Sequence, residues 1–151
     1  MKFIHPLVMI GFFVFLYWQR ALGQKIAEMK EKSPEFVKRP GLLEQHRTWG
    51  YALTGLCLAG LFGGIFITSS VLGAQQPFLQ TYGHGFIGSV ILGCLVMSLL
   101  LGLSIKNVVK PRIRERFLTF HMNMVYVIAA FGLLSAGTGL AILIWGLSPL
   151  N

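Results

Sequence analysis

Four apolar runs dominate the chain: Phe3 to Leu22, Trp49 to Leu72, His84 to Ile105 and Phe117 to Leu147. The polar residues between them gather into two dense charged stretches and one uncharged loop. Each run reaches or approaches the roughly 20 residues that a helix needs to cross a hydrocarbon core of about 30 Å. Backbone N–H and C=O groups find no water in hydrocarbon, so runs of this length are predicted to be helices that close their hydrogen bonds internally. The pattern therefore predicts an all-α fold, an integral membrane four-helix up-down bundle. It forms a single domain over residues 1–151, with helices near 3–22, 46–72, 84–105 and 117–147.

The ends of these runs carry their own signals. His5-Pro6 opens the first, where proline's missing N–H costs nothing in a first helical turn. With Lys2 as its only early charge and no small-x-small site before the basic stretch, this run is expected to be a retained helix and not a cleaved leader. The Gln24–Gln45 stretch mixes Ile26, Met29, Phe36, Leu42 and Leu43 with charges and is broken at Pro34 and Pro40-Gly41. It is expected to extend the first helix and then lie on the membrane interface as a loop.

Composition agrees with the pattern: 54% of residues are hydrophobic and 12% charged. Charge adds an orientation. Of the thirteen Lys and Arg residues, all but Lys2 fall between Arg20 and Arg47 or between Lys106 and Arg116, and all five acids lie there too. Residues Gly73 to Gly83 and the tail Ser148-Pro-Leu-Asn carry no charged side chain. Cytoplasmic loops are enriched in Lys and Arg, so the two charged stretches are expected inside, with both termini and the Gly73–Gly83 loop on the non-cytoplasmic side. Trp18 and Trp49 would then mark the cytoplasmic interface and Trp145 the other. This bias accounts for the net charge of +8 without an acidic docking partner. Cys57 and Cys94 fall mid-membrane on different helices and read as small buried hydrophobes.

The candidate chemistry lies in histidine. The chain has four, His5, His46, His84 and His121, each near the start of an apolar run, and each is followed eighteen residues later by a glycine: Gly23, Gly64, Gly102 and Gly139. Eighteen residues make five turns, so each histidine shares a helix face with its glycine, roughly 27 Å along the axis. The face of His46 continues through Gly50, Leu53, Cys57 and Gly60; that of His84 through Gly88, Ile91, Leu95 and Ser98; that of His121 through Val125, Ile128, Gly132 and Ser135. In an up-down bundle, His5 and His84 meet across one diagonal at the uncharged face, and His46 and His121 across the other at the basic face.

A pair of neutral imidazoles from facing helices is the ligand set of a low-spin haem, and small residues let a flat ring approach a helix backbone. Arg47, Arg114 and Arg116 are placed to neutralise propionates near the basic face; Lys2, Gln80, Tyr82 and backbone serve the other. Asn123, two residues past His121, could bond a propionate or backbone or simply face a neighbouring helix. No aspartate, no intramembrane acid pair and no Gly-rich phosphate loop is present, which excludes hydrolase and phosphate chemistry, and nothing supports nucleic-acid binding.

With two histidine pairs on alternate helices, the arrangement resembles the four-helix core of the cytochrome b561 family. That resemblance implies two b haems, with His46 and His121 as metal ligands of one and His5 and His84 of the other; by spacing and placement, Gly64, Gly102, Gly139, Arg47 and Arg116 are the cofactor-binding residues expected around them. It implies transmembrane one-electron transfer, a possible oxidoreductase activity, and an electron donor and acceptor of unknown identity. The family's flanking helices and ascorbate-site pattern are missing from this sequence. The chain also resembles an uncharacterised group of small four-helix proteins of cyanobacteria and plastids, through His5-Pro6, His46…Gly50 and His84-Gly85. That likeness implies a thylakoid or plasma membrane and admits chlorophyll, or a single haem, in an accessory or assembly subunit of a larger photosynthetic complex. A cofactor-free subunit packing through its small residues, in contact with membrane lipid, is the remaining alternative.

Overall fold

A computed structural model describes residues 4–29 and 33–147. Four long helices, α1 (Ile4–Glu28), α2 (Arg39–Phe66), α3 (His84–Ile105) and α4 (Pro111–Trp145), carry most of the described chain, and no strand occurs among the described residues. All four are long and apolar enough to cross a membrane. They run alternately up and down, and neighbours in sequence are neighbours in space: α1 packs on α2, α2 on α3, α3 on α4, and α4 closes the ring on α1. The diagonal partners, α1 with α3 and α2 with α4, scarcely meet through their backbones.

The expected interfacial loop after α1 is mostly helix, and proline explains why. Pro34 opens a 3-10 turn, Pro34–Lys38, where the Ser33 hydroxyl accepts the Glu35 N–H at 3.2 Å. Pro40 stands in the first turn of α2, where a missing N–H breaks no intrahelical bond. What read as chain breakers are helix starts, so α2 begins seven residues before His46. The same holds for Pro111, which starts α4 six residues earlier than its apolar run and places His121 nearly three turns in.

The far end of α2 loosens into a π turn, Ile67–Val71, where Thr68 and Ser69 hydroxyls bond back to the carbonyls of Gly64 and Ile65 at 2.9 and 2.8 Å. A single-turn helix, Pro77–Gln80, follows, and Tyr82 and Gly83 take positive φ (52° and 77°) to turn the chain into α3. Lys2 and the tail beyond Leu147 lie outside the described residues.

The core is one layer in the middle of the bundle, made of Phe12 and Leu16 from α1, Leu53 and Cys57 from α2, Ile91 and Leu95 from α3, and Ile128 from α4. These positions belong to the histidine-bearing faces predicted for α2, α3 and α4. Both thiols are free. On the outside stand large apolar side chains such as Val14, Phe62 and Leu133, the last 77% exposed. A surface of that kind is suited to lipid and not to water. At Gly132 of α4 a Cβ would collide with the Phe13 ring, so the missing side chain makes room for that ring of α1.

Candidate functional site

The four histidines come together as two pairs, one at each end of the core layer. The His5 and His84 rings lie 5.9 Å apart between centroids, and the His46 and His121 rings 6.1 Å apart; both pairs are crossed at 76°. Each pair spans a diagonal, where the helix backbones leave room. Two imidazoles that share one ion at about 2.0–2.1 Å per metal–nitrogen bond would have ring centres roughly 6 Å apart. Among the described residues no group of three or more His, Cys, Asp or Glu side chains converges, and the histidines lie in twos.

The eighteen-residue glycines explain how the rings are seated. Each glycine faces not its own helix's histidine but that of the neighbouring antiparallel helix. Gly23 of α1 meets His46 of α2, and Gly64 of α2 meets His5 of α1; Gly102 of α3 meets His121 of α4, and Gly139 of α4 meets His84 of α3. A Cβ added to these glycines would stand 2.9, 3.7, 3.3 and 3.1 Å, respectively, from the Cε1 atom of its histidine. The spacing expected to clear a volume for a ring cofactor therefore first clears a volume for imidazole. No other glycine has a histidine among its nearest neighbours. Gly23 lies inside α1.

Hydrogen bonds orient two of the rings. His84 Nδ1 donates to the carbonyl of Ser135 at 2.9 Å, with the Thr138 and Ser135 hydroxyls at 3.2 and 3.3 Å. His121 Nδ1 donates to the carbonyl of Ser98 at 2.8 Å, with the Ser98 hydroxyl at 3.1 Å. Both acceptors stand one turn before the glycine that seats the ring. With the proton fixed on Nδ1, Nε2 carries the free lone pair, as a metal-ligating histidine requires.

At the basic end a cavity of about 710 Å³ opens between all four helices and is bounded by His46, His121, Gly23, Gly50 and Gly102 among others. Its size is in the range of small-molecule and cofactor sites, about 300–1,000 Å³. Three buried side-chain atoms have no hydrogen-bond partner among the described residues, Gln19 Oε1, Arg39 Nε and His46 Nδ1, and all three residues line this cavity. Unsatisfied buried polar atoms are rare in folded proteins, and three around one cavity fit a polar ligand or cofactor edge.

The predicted cations divide. Arg114 lines the cavity, as does Arg47, which is also bonded to Glu44 at 2.8 Å. Arg116 does not line it but borders a shallow depression with Arg112, Thr119 and Phe120; Asn123 borders both. Arg20 and Arg39, which no motif marked, do line the cavity. Arg20 donates to the Tyr126 hydroxyl and lies 5.0 Å over that ring, joining α1 to α4. Near the other pair, Gln80 accepts the Gln76 N–H at 3.0 Å within its own turn, and Tyr82 is exposed. Trp18 and Trp49 pack edge to face at 5.7 Å, and Trp145 stands exposed at the opposite end of the bundle.

Comparison with protein-family models, with curated proteins and with solved structures finds no match for this chain.

Proposed function

We propose that the protein is a transmembrane one-electron carrier that holds two b-type haems, one at each end of the bundle. The observation that carries this reading is the pair of diagonal histidine contacts, at 5.9 and 6.1 Å, which use every histidine in the chain. His46 and His121 would hold one haem and His5 and His84 the other. Arg39 and Arg114, with Arg20 and Arg47 nearby, would meet the propionates at the basic end. A bound haem with two histidine ligands supplies one-electron chemistry and leaves no open position for oxygen or substrate.

The protein's own contribution is orientation and exclusion. Gly23, Gly64, Gly102 and Gly139 seat the imidazoles, and the carbonyls of Ser98 and Ser135 hold two of them in the tautomer that frees Nε2. The layer of Phe12, Leu53, Ile91, Leu95 and Ile128 keeps water out of the space between the two ends. The two histidine tiers stand roughly 27 Å apart along the axis, close to the thickness of a hydrocarbon core. The bias of Lys and Arg supports a cytoplasmic basic end, with both chain ends on the other side. The resemblance carried by His5-Pro6, His46…Gly50 and His84-Gly85 would place the protein in a thylakoid or plasma membrane.

A reduced-minus-oxidised spectrum of the purified protein tests the proposal, together with pyridine haemochrome quantitation. A b-type α-band and two haems per chain are expected. A red chlorophyll band would transfer the histidines to pigment binding, and a colourless preparation would leave a packing subunit.

A further inference from the structure

His84 and His121 have hydrogen-bond partners at Nδ1, and His46 is the histidine with a buried ring nitrogen that has none among the described residues. His84 and His121 donate Nδ1–H to the carbonyl one turn before their seating glycine, and the corresponding position for His5 is Gly60. For His46 that position is Gln19, the only long polar side chain of the four. Gln19 is 8% exposed, and its amide nitrogen donates to the backbone carbonyl of His46 itself. The amide group is thereby fixed beside the histidine it would serve. Its oxygen and the His46 Nδ1 are two of the three unpartnered buried side-chain atoms of the described residues. The His46 ring lies against α1 at Gly23, one turn beyond Gln19, so its edge faces the stretch from which the amide projects.

We infer that Gln19 is the positioning residue for His46: its Oε1 accepts the Nδ1 proton after a small rotation of the ring and leaves Nε2 directed at His121. The inference rests on the proposed function, because an oriented Nε2 matters most to a metal. One side chain then holds both the backbone and the ring of His46, as the Ser98 and Ser135 carbonyls hold the rings of His121 and His84. Partners of this kind fix tautomer and ring orientation, and losing one typically weakens metal affinity about 10- to 100-fold.

The test compares Gln19→Met, which keeps length and removes both the amide donor and the acceptor, with Gln19→Glu, which removes the donor alone and keeps an acceptor oxygen. In haem-loaded protein, Gln19→Met should weaken haem affinity at the basic end by about 10- to 100-fold and shift only that haem's reduction potential. The outer haem serves as the internal control for folding. Gln19→Glu should restore affinity. In cofactor-free protein, ¹⁵N spectra of His46 should show an Nδ1–H hydrogen bond in the parent chain that Gln19→Met abolishes. An unchanged potential, affinity and His46 spectrum in Gln19→Met would overturn the inference and leave the proposed function intact. A parent chain that takes up no haem would overturn the proposed function, and the His46 spectra would still decide the role of Gln19.

Discussion

Alanine at Gly23 places a methyl group 2.9 Å from Cε1 of His46, closer than side-chain contacts tolerate. Ordinary contact begins at 3.4 Å, so the imidazole must withdraw by about 0.5 Å or α1 and α2 must part by as much. Overpacking of this kind costs typically about 1–3 kcal/mol, while glycine-to-alanine in a helix returns roughly 1 kcal/mol. Gly55→Ala isolates the second effect, because nothing lies within 4 Å of a Cβ there. Measured against Gly55→Ala, Gly23→Ala should therefore be less stable by about 1–3 kcal/mol. For a chain of this size that is a fall in Tm of roughly 2–12 °C, read from thermal unfolding in detergent. Gly64→Ala, whose Cβ would stand 3.7 Å from His5, should behave like Gly55→Ala. If Gly23→Ala and Gly55→Ala unfold at the same temperature, the glycine does not seat the ring and the helical spacing has no such role.

Leucine at Gly102 and Gly64 should lower cofactor content more than leucine at Gly55; Gly73 is a poor control because its φ of 72° strains any side chain. His46→Ala and His121→Ala should give matching spectra, different from the shared spectrum of His5→Ala and His84→Ala, each retaining about one haem of two. Retention of both haems in His5→Ala would refute the outer pair. Gly132→Ala should destabilise the bundle by about 1–3 kcal/mol, relieved by Phe13→Leu, in a double-mutant thermal series. A cysteine at Gln76 should react with an impermeant thiol reagent from the non-cytoplasmic side, and labelling from the cytoplasm would reverse the topology.

The number of helices, their alternation and the inner faces of α2, α3 and α4 were legible because lipid tolerates only long apolar helices and the histidines marked the phase. Helix starts were not legible where proline stood, since Pro34, Pro40 and Pro111 look alike as breakers and first-turn residues. The eighteen-residue spacing was visible, but its meaning required the antiparallel neighbour. Counting along one helix cannot show that Gly23 belongs to His46. Gln19 was hidden for the same reason, as a lone glutamine in an apolar run carries no motif. Arg39 was hidden within a stretch read as interfacial loop, and Arg116 stood out only because charge gives no rotational phase on a helix.

The reciprocal seating of histidine on glycine divides the molecule into two hairpins, α1 with α2 and α3 with α4, each supplying the glycines for its own rings. Each facing pair, however, takes one imidazole from each hairpin. A hairpin entering the membrane alone thus has its rings in place but only half of either site. Under the proposed function, neither site has both imidazoles until the second hairpin enters, His84 with the third helix and His121 with the fourth, and the bound groups then rivet two separately formed halves. The uncharged Gly73–Gly83 segment, the sole covalent link between them, becomes a place where the chain could be cut and the two pieces still assemble around their shared cargo.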